Sequence, residues 1–396
     1  MKIAYCCVDA GVPVFGQKGC SLHVQEMLRA FVQLGAQVTL FASTLGGPVK
    51  PDLAGIHIVT LADLSGLKGY IREHAAIDAN AALAEALQQH GPFDFVYERY
   101  SLWSFAAQEM AHQWHIPSVL EVNAPLIEEQ QRYRKLCLTT DALRTTQQAF
   151  LCATALVAVS EEVATYVNTF PEAKNKVHVV PNGVNVSRFA ACNPALNKAA
   201  EHAPQRPFTI GFVGTLKPWH GVDTLLHAFA DFQLWVDQSR LLIVGQGPEL
   251  ETLQQLSKSL GIEADVDFVG AVATEAVPEF LAAMDVATAP YPDTPDFYFS
   301  PLKVYEYMAA GLAVVASDIG QISQLITHED DGLLCPAGCV DCLSDALLTL
   351  YTSPALRRRL GQNAQANMQA QHTWAQVAEK VLAIGAASDW RQRGCA

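Results

Sequence analysis

No apolar run in this 396-residue chain approaches the ~20 residues that a helix needs to cross a bilayer, although half of its residues are apolar. That excludes a helical membrane span. Basic residues are also scarce, with 26 Lys and Arg against 40 Asp and Glu, a net charge of −14. This balance argues against a broad nucleic-acid surface and gives no help to binding an anionic membrane, while local basic patches, for example Arg132, Arg134 and Lys135, and a peripheral membrane contact stay open. Met1-Lys2 leads straight into an apolar run with no signal-peptide layout, and a cytoplasmic location is expected. In that compartment the ten cysteines are expected as reduced thiols rather than a disulfide framework. Cys335, Cys339 and Cys342 have the spacing of radical-SAM iron–sulfur ligands, but they lie near the end of the chain where a helix should begin, which favours packing as small apolar residues. Gly-x-Gly-x-x-Gly is missing too. The first apolar run leads instead into Val8-Asp-Ala-Gly-Val-Pro13, which argues against a dinucleotide dehydrogenase.

What is present is a strict alternation. Short apolar runs at 2–8, 38–42, 56–60, 93–97, 118–122, 155–159 and 177–180 are separated by helical patterns such as 75–89 and 139–153. Strands that read as continuous apolar runs, with helices between them, imply a parallel sheet covered on both faces. The rhythm pauses near Pro181-Asn-Gly-Val-Asn185, and the polar, proline-punctuated stretch after it is the best linker in the chain. A second alternating set then runs through 208–213, 241–244, 266–269, 286–290 and 312–316. The expected fold class is therefore α/β, with two Rossmann-like doubly wound domains facing a central cleft: 1–185, a linker at 186–207, and 208–373, followed by a last helix in 374–396. Asp265-Val-Asp267 mimics a metal-binding Asp-x-Asp pair but lies in the approach to a strand and reads as a surface turn.

The most informative stretch is 297–311, Phe-Tyr-Phe-Ser-Pro-Leu-Lys-Val-Tyr-Glu-Tyr-Met-Ala-Ala-Gly. It reads as a loop feeding a helix, with Ser300 as N-cap, Pro301 at the first helical position and Gly311 as the stop. The unpaired amides of such a helix start attract a phosphate, and Lys303 adds a full charge. Glu306, one turn on along the same face, offers a carboxylate to a diol such as a ribose. Phosphate donors beside a diol acceptor point to a nucleotide.

The run SPLKVYEYMAAGLAVVASDIG resembles the nucleotide-diphosphate site of the family-4 retaining glycosyltransferases, of the glycosyltransferase group 1 type, and the likeness extends over nearly the whole chain. The resemblance implies the GT-B fold and a last helix that returns to the first domain. It places Ser300, Pro301, Leu302 and Glu306 on the donor, with Glu306 at the ribose. A glutamate that touches the transferred sugar in the family falls on Tyr298. In the loop 214–221 the family carries Arg and Lys where Thr215 and His220 stand, and Lys217 between them is positioned to supply the lost charge, with His220 as a hydrogen-bond donor whose charge depends on pH. Gly214, Gly247 and Gly270 allow close backbone approach to donor. A Gly-Gly pair of the family is Gly19-Cys20 here, and a histidine that faces the reacting sugar is Asn123, which can hold a hydroxyl but cannot act as a base. Glu121 and Glu128 are carboxylates near that point, with Glu128 an acceptor-side candidate.

The implied activity is retaining, metal-independent transfer of a sugar from a nucleotide diphosphate sugar, UDP-sugar ahead of GDP-sugar, to a hydroxyl acceptor of unspecified class. The donor is then a co-substrate, and no cofactor is required. Lys217 and Lys303 would stabilise charge on the departing diphosphate. Two alternatives stay open: a nucleotide-sugar epimerase of the same fold, and a nucleotide-sugar-binding protein without turnover, motivated by Tyr298, Thr215 and His220.

Overall fold

The computed structural model describes residues 1–192, 206–294 and 297–387. The chain divides into two compact units. One holds Met1–Asn182 together with the segment that begins at Trp374; the other is Gly183–Thr373. Of the expected linker, Val186–Cys192 forms a 3-10 helix of the second unit, and 193–205 lies outside the described residues.

The N-terminal unit follows the anticipated alternation: β1 (Lys2–Cys7), α1 (Gly19–Gln33), β2 (Gln37–Ala42), β3 (His57–Thr60), α2 (Gly69–His90), β4 (Phe95–Arg99), α3 (Ala106–Gln113), β5 (Ser118–Val122), α4 (Leu126–Tyr133), α5 (Thr139–Cys152), β6 (Ala155–Ala158), α6 (Glu161–Val167) and β7 (Val177–Val179). Its seven strands lie in the order β3-β2-β1-β4-β5-β6-β7, every pair parallel. β5 and β6 are buried along their whole length and β1 from Ile3 onward, as helices on both faces require.

The second unit contains β8 (Phe208–Val213), α7 (Val222–Gln233), β9 (Ser239–Val244), α8 (Leu250–Ser259), β10 (Val266–Gly270), α9 (Val277–Ala282), β11 (Val286–Ala289), α10 (Leu302–Ala309), β12 (Ala313–Asp318), α11 (Ile322–Leu325), β13 (Leu333–Pro336), α12 (Val340–Thr352) and α13 (Pro354–Gln371). Its six strands lie in the order β10-β9-β8-β11-β12-β13, again all parallel. Alternate residues of β8 divide between two cores. Phe208, Ile210 and Phe212 face α7 and α12, whereas Val213 packs against the cluster of α9, α10 and α13. α14 (Trp374–Ala387) packs on α1 in the N-terminal unit, where Trp374 meets His23 edge-on at 5.0 Å.

In a doubly wound sheet the strand order reverses at one point, and ligands bind outside the carboxyl ends of the strands there. In the second unit that point lies between β8 and β11. The residues that leave those two strands there are Gly214 and Pro290-Tyr291.

Three details depart from the sequence reading. α10 begins at Leu302 with Pro301 in the cap position and no side-chain cap hydrogen bond, one residue later than expected. Ser300 Oγ lies 3.4 Å from Tyr305 Oη, and the Pro301 carbonyl accepts the first turn's bond from the Val304 amide at 3.0 Å. Cys339 and Cys342 are joined by a disulfide rather than held as thiols. Three residues apart at the start of α12, they are brought together by the first helical turn, and Cys339 Sγ also takes the cap hydrogen bond of the Cys342 amide at 3.2 Å. Asp267 is a strand residue of β10 that takes a two-pronged contact from Arg240 at 2.9 and 2.7 Å, rather than part of a free turn.

Candidate functional site

Lys303 is the centre of the candidate site. It sits in the first turn of α10, yet its Nζ is withdrawn from solvent and donates no hydrogen bond among the described residues. The ammonium lies 4.1 Å from the centroid of the Phe212 ring and 5.2 Å from that of Tyr291, so the two strands at the topological reversal each supply an aromatic wall. Burial pushes its pKa down from 10.5 to about 7, with Glu306 acting in the opposite direction. A buried cation without an acceptor is costly, and an anionic ligand would remove that cost.

The loop after β8 is shaped around this ammonium. A Cβ on Gly214 would stand 2.8 Å from Lys303 Nζ, and the residue holds φ at +154°, so glycine is required for both space and backbone. Tyr307 of α10 fixes the strand end: its hydroxyl accepts from the Val213 amide at 2.7 Å and donates back to the Val213 carbonyl at 3.2 Å. Gly247 brings a second strand end in, since a Cβ there would meet the Leu216 carbonyl oxygen at 2.1 Å. Gly270, at the end of β10, bridges to Gly245.

His220 differs from its expected state. Its Nδ1 donates to the Thr215 carbonyl, and burial, followed by the charge of Lys303, lowers its pKa to about 3. The ring is therefore neutral across the physiological range, with Nε2 available only as an acceptor, and its charge does not vary with pH as anticipated. Burial is the larger cause, and the Lys303 ammonium of α10 adds to it, so the imidazole stays uncharged. Lys217 lies over Trp219 at 5.4 Å, on the same 3-10 turn. Tyr298 packs against Phe299 with centroids 4.4 Å apart and ring planes tilted by 37°, in the aromatic loop before α10.

Glu306 brings in a residue that sequence reasoning missed. Arg188 Nη1 lies 3.7 Å from its carboxylate, and Arg188 Nη2 donates to the Thr274 carbonyl at 3.0 Å. The guanidinium is thus held by backbone on one side and faces the Glu306 carboxylate on the other. The surrounding Pro-Asn-Gly-Val-Asn run gave no sign of it except its place at the unit boundary.

The remaining candidates belong to the N-terminal unit, so the described geometry does not bring them together with Lys303. Gly19 and Cys20 open α1, Asn123 follows β5 with a buried Oδ1 that has no hydrogen-bond partner among the described residues, and Glu128 is exposed on α4. Glu121, by contrast, is buried against His23 Nε2 at 2.9 Å and Arg99 Nη1 at 3.8 Å. Burial alone would raise its pKa, but His23 and Arg99 outweigh it and hold the carboxylate ionised.

Residues 195–367 match the family model described as glycosyl transferases group 1, and residues 18–188 match that of glycosyltransferase family 4. A D-inositol 3-phosphate glycosyltransferase of Kribbella flavida is 26% identical, over 92% of this chain and 89% of that protein. A GDP-mannose-dependent alpha-(1-6)-phosphatidylinositol monomannoside mannosyltransferase of Mycobacterium tuberculosis is 29% identical, over 56% and 60%. Among solved structures, sucrose-phosphate synthase of Thermosynechococcus elongatus superposes with a TM-score of 0.73 at 20% identity, covering 99% of this chain and 98% of its own. Anabaena HepE, solved with UDP and glucose, gives 0.73 at 18%, covering 98% and 100%. Two family matches that together span most of the chain, on two Rossmann-like parallel sheets, show that the chain belongs to the group 1, family 4 glycosyltransferases of GT-B fold and transfers a sugar from a nucleotide sugar.

Proposed function

We propose that the chain moves a hexose from a nucleotide diphosphate sugar to a hydroxyl acceptor with retention at the anomeric carbon, and that Lys303 receives the donor diphosphate. The observation that carries this reading is the Lys303 ammonium, buried between Phe212 and Tyr291 at the strand-order reversal with no acceptor of its own among the described residues. Glu306, oriented by Arg188, then takes the ribose hydroxyls. In the reaction the bond from the anomeric carbon to the diphosphate oxygen breaks, the acceptor oxygen bonds to that carbon on the same face, and the acceptor proton passes to the departing phosphate oxygen. Lys303 and Lys217 stabilise the charge that accumulates there, where electrostatic help is largest because water is excluded. No residue is needed as a nucleophile and no metal as a charge carrier in this scheme. On the resemblance, Asn123 and Glu128 fall to the acceptor side, and the sugar contact made elsewhere by an acid falls to Tyr298, an aromatic surface that suits the apolar face of a ring rather than its hydroxyls.

UDP-sugars are the first donors to test and GDP-sugars the second. A panel of both, followed by release of the nucleoside diphosphate and by NMR of the product's anomeric proton, tests the reading. Donor-dependent release with an α-linked product from an α-linked donor supports it. An inverted product, or interconversion of free sugar nucleotides without acceptor, overturns it.

A further inference from the structure

Three cysteines of the second unit converge where β13 gives way to α12. Cys335 lies in β13, and Cys339 and Cys342 bracket the first turn of α12, joined as a disulfide across a separation of three residues. Cys335 is buried, and its thiol donates to the Cys342 carbonyl at 3.4 Å. The two bridged cysteines are only partly buried, and Gly338 and Asp341 beside them are exposed, so a small reductant can reach the bond.

A ring this short constrains the unfolded chain less than a longer one would, which makes the bridge a weak staple. Its place suits exchange better. A thiolate at Cys339 would stand at the open start of a 13-residue helix, with the Cys342 amide already 3.2 Å from its sulfur as a donor. A sulfur stabilised in that way departs readily in thiol–disulfide exchange.

The same turn is linked to the Lys303 pocket. From Gly338, which holds φ at +73°, a Cβ would stand 3.7 Å from the Asp293 amide nitrogen, in the segment that follows β11. Cys335 pairs with Ser317 of β12, and Ser317 Oγ donates to the Tyr291 carbonyl at 2.7 Å. Tyr291 is one of the two aromatic walls of the Lys303 ammonium.

We infer that Cys339 and Cys342 form a reversible redox site that exchanges with thiol reductants such as glutathione, and that its state is felt at the donor pocket, the second half resting on the donor reading above. In reduction a thiolate of the reductant attacks Cys342 Sγ and the bond between the two cysteines breaks. Cys339 leaves as a thiolate and takes a proton from water, while Cys342 is held as a mixed disulfide. A second reductant thiolate attacks the reductant's sulfur in that mixed disulfide, and Cys342 departs and is protonated. Two electrons have then passed to the cysteines, and the reductant is left as its own disulfide. With the bond gone the sulfurs separate to van der Waals distance, which loosens the turn that packs on Asp293 and, through it, the Tyr291 wall.

The test equilibrates the full chain in glutathione buffers of varied reduced-to-oxidised ratio, alkylates the free thiols and maps them by peptide mass. Calorimetric titration with UDP, and with GDP if UDP is silent, reads the donor pocket in the same buffers. Between the ratios typical of the endoplasmic reticulum and of the cytosol, Cys339 and Cys342 should become alkylated together while Cys335 stays protected. The reduced chain should bind nucleotide about three- to ten-fold more weakly than the oxidised one. Cys339→Ser with Cys342→Ser, which keeps an oxygen at the helix cap, should bind like the reduced chain in every buffer. A pair that stays oxidised or stays reduced over the whole range, equal affinity of the two wild-type states, or a double variant whose affinity still follows the buffer would overturn the inference. Exchange at the pair with neither nucleotide bound would support the redox site and overturn the donor reading instead.

Discussion

Replacing Lys303 by Met keeps the length and apolar stem of the side chain and removes its charge, which separates what the residue costs from what it does. In the free enzyme the ammonium's pKa falls from 10.5 to about 7. At about 1.4 kcal/mol per pH unit, that is a folding cost of roughly 5 kcal/mol at most near neutral pH, because the unfolded chain holds its proton while the folded site disfavours it. Attraction to the Phe212 and Tyr291 rings offsets about 2 kcal/mol. A net cost of about 2–3 kcal/mol remains, and Met should recover it, raising the melting temperature of the free enzyme by about 4–12 °C for a unit of this size. The same variant should bind nucleoside diphosphate roughly 10- to 100-fold more weakly, because a charge-assisted hydrogen bond is lost. Differential scanning fluorimetry and calorimetric titration read the two effects independently. A melting point that falls, with nucleotide affinity unchanged, would refute the assignment and make Lys303 a structural residue.

Three further outcomes follow from the same geometry. At pH 8 the free Lys303 is mostly neutral and a bound diphosphate would restore its proton, so titrations in Tris and in HEPES should show uptake of about 0.9 proton per nucleotide; equal heats after correction for ligand ionisation would show that the ammonium is not engaged. Arg188→Ala and Glu306→Gln should each raise the donor KM, and the double variant should be no worse than the poorer single one, a coupling of about 1 kcal/mol or more; additive effects would mean that Arg188 does not orient the carboxylate. Gly214→Ala should cost about 1–2 kcal/mol of stability and lower nucleotide affinity about ten-fold by displacing the lysine tip, and a variant with unchanged affinity would show that the loop does not shape the site.

The fold was legible because its signals are local. Short apolar runs bounded by Gly and Pro located every strand of the second sheet except β13, whose start at Leu333-Leu-Cys is too brief to stand out from the loop around it. The position of α10 was legible to within one residue, since Ser-Pro fits a cap at either position. Relationships between distant residues were not legible. Arg188 and Glu306 are remote in sequence, and nothing in either neighbourhood calls for the other. The neutrality of His220 depends on Lys303 coming close in space, which no spacing within 214–221 reports. The Cys339–Cys342 disulfide is not legible for a different reason: their spacing and place at a helix start fit packing as small apolar residues equally well, and only the first turn of α12 brings the two sulfurs together.

The central claim is that a donor diphosphate completes the unpaired ammonium at the reversal of the second sheet. A crystal structure with a bound nucleoside diphosphate tests it most directly. A phosphate oxygen should lie about 2.7–2.9 Å from Lys303 Nζ, with the ribose hydroxyls on Glu306. A diphosphate bound away from Lys303, with its ammonium still enclosed by Phe212 and Tyr291 alone, would contradict the account.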